Sequence, residues 1–168
     1  MSAPHPQGEA LAAQLLWVHD MVRRDLDTVQ KLADEVAEGL AADAVTAALR
    51  ALQVNGPLWQ LKVNCLQYCN VVHGHHRVES AVIFPALRRT NPALDPVVDR
   101  LEADHLRVTK LLDDTEAAAR GLGGGDDSAA RGRLVAALKA LAADLLPHLE
   151  YEEEHILDTM RTWAGLPR

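Results

Sequence analysis

The chain has 168 residues, enough for one domain with a single sizeable core, and 48% of them are hydrophobic, which excludes a disordered polymer. Its formal net charge is −7 and no basic stripe interrupts it, so a nucleic-acid partner is not expected. No apolar run reaches the length of a bilayer span, and Met1–Ala10 has neither the charged start nor the apolar stretch of a signal peptide, so the expected location is cytoplasmic and away from membranes.

Proline and glycine divide the chain into helices. The spacing of apolar residues predicts a first helix over Gly8 to Glu38 and a short helical piece over Ala42 to Gln53 that stops at Asn55-Gly56. Pro57 suits the first turn of a second helix, which runs to about Phe84-Pro85. Asn91-Pro92 makes a turn. Asp95-Pro96 reads as an N-cap followed by proline at the first helical position, opening a third helix to Arg120. Gly121 to Asp127 is a flexible loop, and a fourth helix covers Ser128 to Thr162. No segment alternates as a strand does. The expected fold is all-α: an up-and-down antiparallel four-helix bundle with a short extra helix between the first and second long ones. The bundle is expected over residues 11–162, with a flexible N-terminus over 1–10 and a tail over 163–168.

Steps of three and four along each helix give the face it buries. The first helix presents Ala12, Leu15, His19, Val22, Leu26, Val29, Ala33 and Val36. The second presents Leu61, Cys65, Tyr68, Val72, His75, Glu79, Val82 and Ala86. The third presents Val98, Leu101, His105, Val108 and Leu112, and the fourth Leu134, Leu138, Leu141, Leu145, His148, Glu152 and then His155 or Ile156. Each stripe is apolar except for one break. Every break is a histidine, followed in two helices by a glutamate four residues on.

One histidine on an apolar face is ordinarily a satisfied core residue. Two buried glutamates are harder to explain away. An uncompensated buried charge costs several kcal/mol, against a net stability of about 5–15 kcal/mol for a domain. No lysine or arginine shares these stripes, so bound metal ions are the cations left to neutralise Glu79 and Glu152. Residues at i and i+4 project from one side of a helix, so His75 with Glu79 and His148 with Glu152 each offer a nitrogen and a carboxylate. That mixed set suits iron, manganese or zinc alike.

The run His75-His76-Arg77-Val78-Glu79, followed by Ile83-Phe84-Pro85-Ala86-Leu87, resembles the "HH..E....FPAL" signature of the hemerythrin-like, HHE cation-binding family, and Leu145 to Ile156 resembles its fourth-helix "H...E" signature. His19 in Val-His-Asp and His105 in Glu-Ala-Asp-His complete the order, so the resemblance covers Leu11 to Thr162. It implies a four-helix bundle around two Fe ions in an oxo- or hydroxo-bridged, non-haem di-iron centre. By position, His19 and His75 would hold one iron, His105 and His148 the other, and Glu79 and Glu152 both. The oxygen-carrier pattern has a further histidine one turn after the third-helix ligand; here that position is Thr109, and His76 is the candidate replacement, as in some family members. The resemblance implies O2, peroxide or NO as the small ligand, a role as carrier, sensor or peroxide-handling protein, a catalase- or peroxidase-like side activity left open, and a monomer or small homo-oligomer.

Two other classes remain. A ferritin-like carboxylate di-iron oxidase would use the Glu-x-x-His matches Glu102/His105 and Glu152/His155, but needs more in-phase glutamates than the first helix offers. A redox-silent binding protein stabilised by zinc would use the same cluster without electron transfer. Among the neighbours, Tyr68 is read as packing, with a hydrogen bond to the centre or an unusual ligand role left open; His155 as a helix-end histidine, with a ligand role left open; Cys65 and Cys69 as reduced core thiols, with a redox or metal role as the alternative; and His73 as a boundary residue. Gly74 is read as a point of close helix approach, Pro147 as a kink, and Glu150 to Glu154 as a solvated face apart from Glu152.

Overall fold

A computed structural model describes residues 3–39, 57–122 and 128–167. It contains four long helices: α1 (Pro6–Gly39), α2 (Pro57–Val78), α4 (Asp95–Arg120) and α5 (Ser128–Arg161), with the short α3 (Phe84–Thr90) following α2. No strand occurs among the described residues. The chain therefore forms a helical bundle: α1 packs on α2 and α5, and α4 packs on the same two helices. The short helix expected over Ala42 to Gln53, its stop at Asn55-Gly56 and most of the expected loop (residues 123–127) lie outside the described residues.

The stripes of α1, α4 and α5 are buried as the periodicity predicts, with Ile156 rather than His155 continuing the last. The second stripe breaks at its end. Val82 is 37% exposed and Ile83 is buried in its place. The cause is a π-helical turn over Glu79–Ile83, in which the amide of Phe84 donates to the carbonyl of Glu79, five residues back. Pro85 accounts for it: within an unbroken α-helix its ring would collide with the carbonyl of Ala81, and a wider turn relieves the collision. Asp95 does not cap α4. A 3₁₀ turn (Pro92–Leu94) carries the chain directly into the helix, Asp95 is its first residue, and no side chain caps this end. The Asp95 carboxylate pairs instead with Arg88.

Close helix approach occurs at Gly8, not Gly74. A Cβ at Gly74 would meet nothing within 4 Å, whereas one at Gly8 would lie 2.3 Å from the carbonyl oxygen of Arg161. The start of α1 rests there on the end of α5, and the amide of His5 donates to the same carbonyl at 2.8 Å. Gly8→Ala is therefore expected to destabilise the fold by about 3 kcal/mol, since backbone must move, while Gly74→Ala is expected to be neutral or slightly stabilising. Chemical denaturation of the two variants side by side checks this.

The interior is two apolar clusters. One runs from Val22, Val72, Val108 and Leu145 toward the far ends of the helices. The other gathers Leu15, Ile83, Phe84, Leu101, Ile156 and Trp163 around α3. The histidines and glutamates singled out above occupy the level between them, because in each long helix the break in the stripe falls between a residue of one cluster and a residue of the other.

Candidate metal centre

All seven sequence-predicted residues meet in that level. His19 comes from α1, His75 and His76 from α2, Glu79 from the first position of the π turn, His105 from α4, and His148 and Glu152 from α5. Six are buried, and His75 is 10% exposed. They form two groups whose ligand-type atoms lie within 4.8 Å of one another: His19, His75, Glu79 and Glu152, and His76, Glu79, His105 and His148.

Glu79 divides between the groups. Its Oε1 is 2.8 Å from His75 Nε2 and 3.6 Å from His19 Nε2, while Oε2 is 3.2 Å from His105 Nε2. Glu152 Oε2 also spans them, 3.5 Å from His19 Nε2 and 3.7 Å from His148 Nε2. The adjacent His75 and His76 reach different groups because residues four and three positions before Glu79 flank it on the helix surface. His76 stacks on His105 with ring centroids 3.9 Å apart. Thr109 is exposed, so the position left without a histidine does not face this centre.

Outer partners fix the rings. His19 Nδ1–H donates to Glu153 Oε1 at 2.8 Å, and Glu153 is held by Arg23. Asp104 Oδ2 lies 3.5 Å from His148 Nδ1 and is paired with Arg107. Ser80 Oγ lies 3.0 Å from His105 Nδ1. Each leaves the Nε2 of its ring directed inward, the arrangement that orients metal-ligating histidines in general. Glu153, Asp104 and Ser80 were not legible in the sequence. Each neighbours a stripe residue, but its partner lies on another helix or beyond the π turn.

Tyr68 stands outside both groups, donating its hydroxyl to the carbonyl of Val22. Burial pushes Cys65 and Cys69 up to about 12, which keeps them as free thiols and removes them as thiolate ligands. His73 pairs with Asp113 and Glu116, and His155 Nδ1 bonds the carbonyl of Tyr151, so neither joins the centre.

Burial pushes His76 down to about 2 and His148 down to about 4, with the neighbouring His105 acting in the same direction. Both rings are neutral at physiological pH and keep a lone pair for a cation. Burial opposes charge on Glu79, yet the imidazoles of His105, His19 and His75 outweigh it and hold the carboxyl well below the usual range. Glu152 is held well above that range by burial and by the charge of Glu79. Protein groups alone leave this centre unsatisfied. His76 Nδ1 and Nε2, His105 Nε2, His148 Nδ1 and Nε2, and all four carboxylate oxygens of Glu79 and Glu152 are buried without a hydrogen-bond partner. Such atoms cost about 1–3 kcal/mol each unless something else engages them. His19 Nε2 and His75 Nε2 lie 3.1 Å apart, within hydrogen-bond distance of each other, and a cation between them would engage both.

The family model for the hemerythrin HHE cation-binding domain matches residues 18–160. The chain belongs to that family. No curated protein and no solved structure matches it. Membership in the hemerythrin HHE family agrees with the donor set: neutral imidazoles and buried carboxylates, with no thiolate, are ligands for a divalent first-row metal. The matched span runs from just before His19 to just before the end of α5 and so contains every residue of the centre. No helix among the described residues is long and apolar enough to cross a membrane.

Proposed function

We propose that this hemerythrin-family chain is a non-haem di-iron protein that binds or reacts with O2, peroxide or NO, inside an up-and-down antiparallel bundle. The observation that carries the reading is Glu79: a buried carboxylate, 1% exposed, whose two oxygens face two separate histidine groups and have no hydrogen-bond partner. In this reading His19 and His75 hold one cation, His76, His105 and His148 hold the other, and Glu79 and Glu152 serve both. The close meeting of the start of α1 with the end of α5 supports the antiparallel arrangement.

Bound iron would supply the reversible electron transfer to a small oxidant that imidazoles and carboxylates lack. The protein supplies the rest. Glu79 and Glu152 neutralise cation charge in a region from which two apolar clusters exclude water. Glu153 fixes the tautomer of His19, Asp104 places a carboxylate 3.5 Å from His148 Nδ1, and Ser80 anchors His105.

The ferritin-like alternative finds little support. Glu102 is half exposed and bound to Arg88, and His155 bonds backbone, so each Glu-x-x-His match brings only one of its two residues, His105 or Glu152, to the centre. Anaerobic loading with Fe(II) followed by air is the test. About two irons per chain and a near-ultraviolet charge-transfer band are expected from a paired site. Stoichiometric zinc in a spectroscopically silent protein would instead favour the redox-silent binding protein.

A further inference from the structure

A cleft of about 290 Å³ opens between α1 and the π turn and reaches His75 and Glu79 at its inner end. Its walls are apolar apart from the uncharged, exposed Gln14: Leu15 and Val18 from α1, Val78, Val82 and Ile83 from the end of α2 and the π turn, and Met160 from α5. We propose that this cleft binds a small, uncharged, apolar organic molecule seated with one end against His75 and Glu79. The inference rests on the di-iron reading for what happens to that molecule, but not for its binding.

Three observations carry it. The first is size. An apolar cavity of about 150 Å³ accommodates benzene, so a diatomic gas would leave most of this cleft empty. The second is charge. Among the described residues, no lysine, arginine or aspartate lines the cleft, and its one carboxylate, Glu79, sits at the floor, so nothing at the mouth selects an ion. The third is exposure. Val78 at 57%, Val82 at 37% and Leu166 at 49% hold apolar surface open to solvent around the same cleft. The π turn contributes directly, because it turns Val82 out of the core to form one side of the opening. A mostly apolar pocket ending on a few converging polar groups is the general form of a small-molecule site.

Toluene and xenon are the probes, titrated into metal-free and iron-loaded protein while amide NMR signals are followed. Saturable toluene binding is expected to move the signals of Leu15, Val78 and Val82 in both forms. Val82→Trp, which fills the opening from an exposed position, is expected to weaken it at least tenfold with iron content unchanged; Val78→Trp provides the same block should the first variant fold poorly. Xenon binding without toluene binding would overturn the proposal and leave a gas path. Toluene binding that both tryptophan variants leave intact would overturn it by placing the molecule elsewhere. Because the metal-free protein is titrated too, loss of the di-iron reading through iron content and loss of this one are read independently.

Discussion

Glu79→Gln is expected to cost the protein both cations at once, whereas Thr109→Ala leaves them in place. The amide keeps the shape of the carboxyl but has one acceptor oxygen where Glu79 presents two, and carries no charge. Glu79 Oε1 belongs to the group of His19 and His75, and Oε2 to that of His105, so the change weakens both sides together. Loss of an anionic ligand from one site alone would lower occupancy there; loss of a shared one is expected to take metal content from about two per chain to well below one, since even outer partners of a metal site are worth 10–100-fold in affinity. Thr109, exposed and one turn past His105, has nothing to lose. Metal analysis of the two purified variants decides the matter. Full metal content in Glu79→Gln would mean that Glu79 is not shared.

The second large effect is on stability against pH, and its sign differs between metal-free and metal-bound protein. His76 and His148 are depressed in the folded chain, to about 2 and about 4 from 6.5, so below pH 6.5 the unfolded chain takes up two protons that the folded one refuses. Glu152 is raised well above 4.5 by burial and by the charge of Glu79, so above pH 4.5 the folded chain holds a proton there that the unfolded one has released, which opposes the histidines. The two histidines outnumber the one glutamate, so metal-free stability falls as pH drops below 6.5. Where the histidines no longer differ between the two states, the Glu152 difference acts alone with opposite sign, so stability falls as pH rises until Glu152 ionises. A stability maximum with a decline on both sides is expected without metal. A cation holds Glu152 as the carboxylate and removes the alkaline decline, while protons competing for the imidazoles steepen the acid one. Urea titrations from pH 5 to 9, with chelator and with metal, test this; a metal-free profile that only rises with pH would show that Glu152 is charged in the fold.

Most of this centre is legible in the sequence because it obeys helical phase. His19, His105, His148 and Glu152 are in step with leucines and valines of their own helices, and a three-four count finds them. His76 is out of step by one residue and needed the family pattern to be considered. Val82 failed for a local reason: Pro85, three residues further on, forces a wide turn over Glu79–Ile83, and phase counted through that turn loses one position. Asp95 failed because a 3₁₀ turn delivers the chain to α4 already helical, leaving no capping position for its side chain. Glu153 is the most instructive miss. It sits in a run of acidic residues on the outside of α5, and only the approach of α1, 134 positions earlier in sequence, turns it into the partner of His19. Periodicity reports which way a side chain points from its own axis, and carries no information about what the neighbouring helix brings to meet it.

The level of histidines and glutamates cuts across every long helix and leaves hydrophobic packing discontinuous at mid-length. Cooperativity between the two ends then depends on whatever bridges that level. With cations in place the four helices are tied together across the gap and are expected to open as one unit. With cations stripped, the end around Phe84 and Trp163 is expected to open at lower free energy than the end around Leu26 and Leu138, as separate foldons do. Native-state hydrogen exchange would show two tiers of amide protection in chelated protein and their merger into one on reloading. The bundle would thus be a pair of half-domains whose union is conditional on ligand, and its lifetime in a cell would follow metal supply.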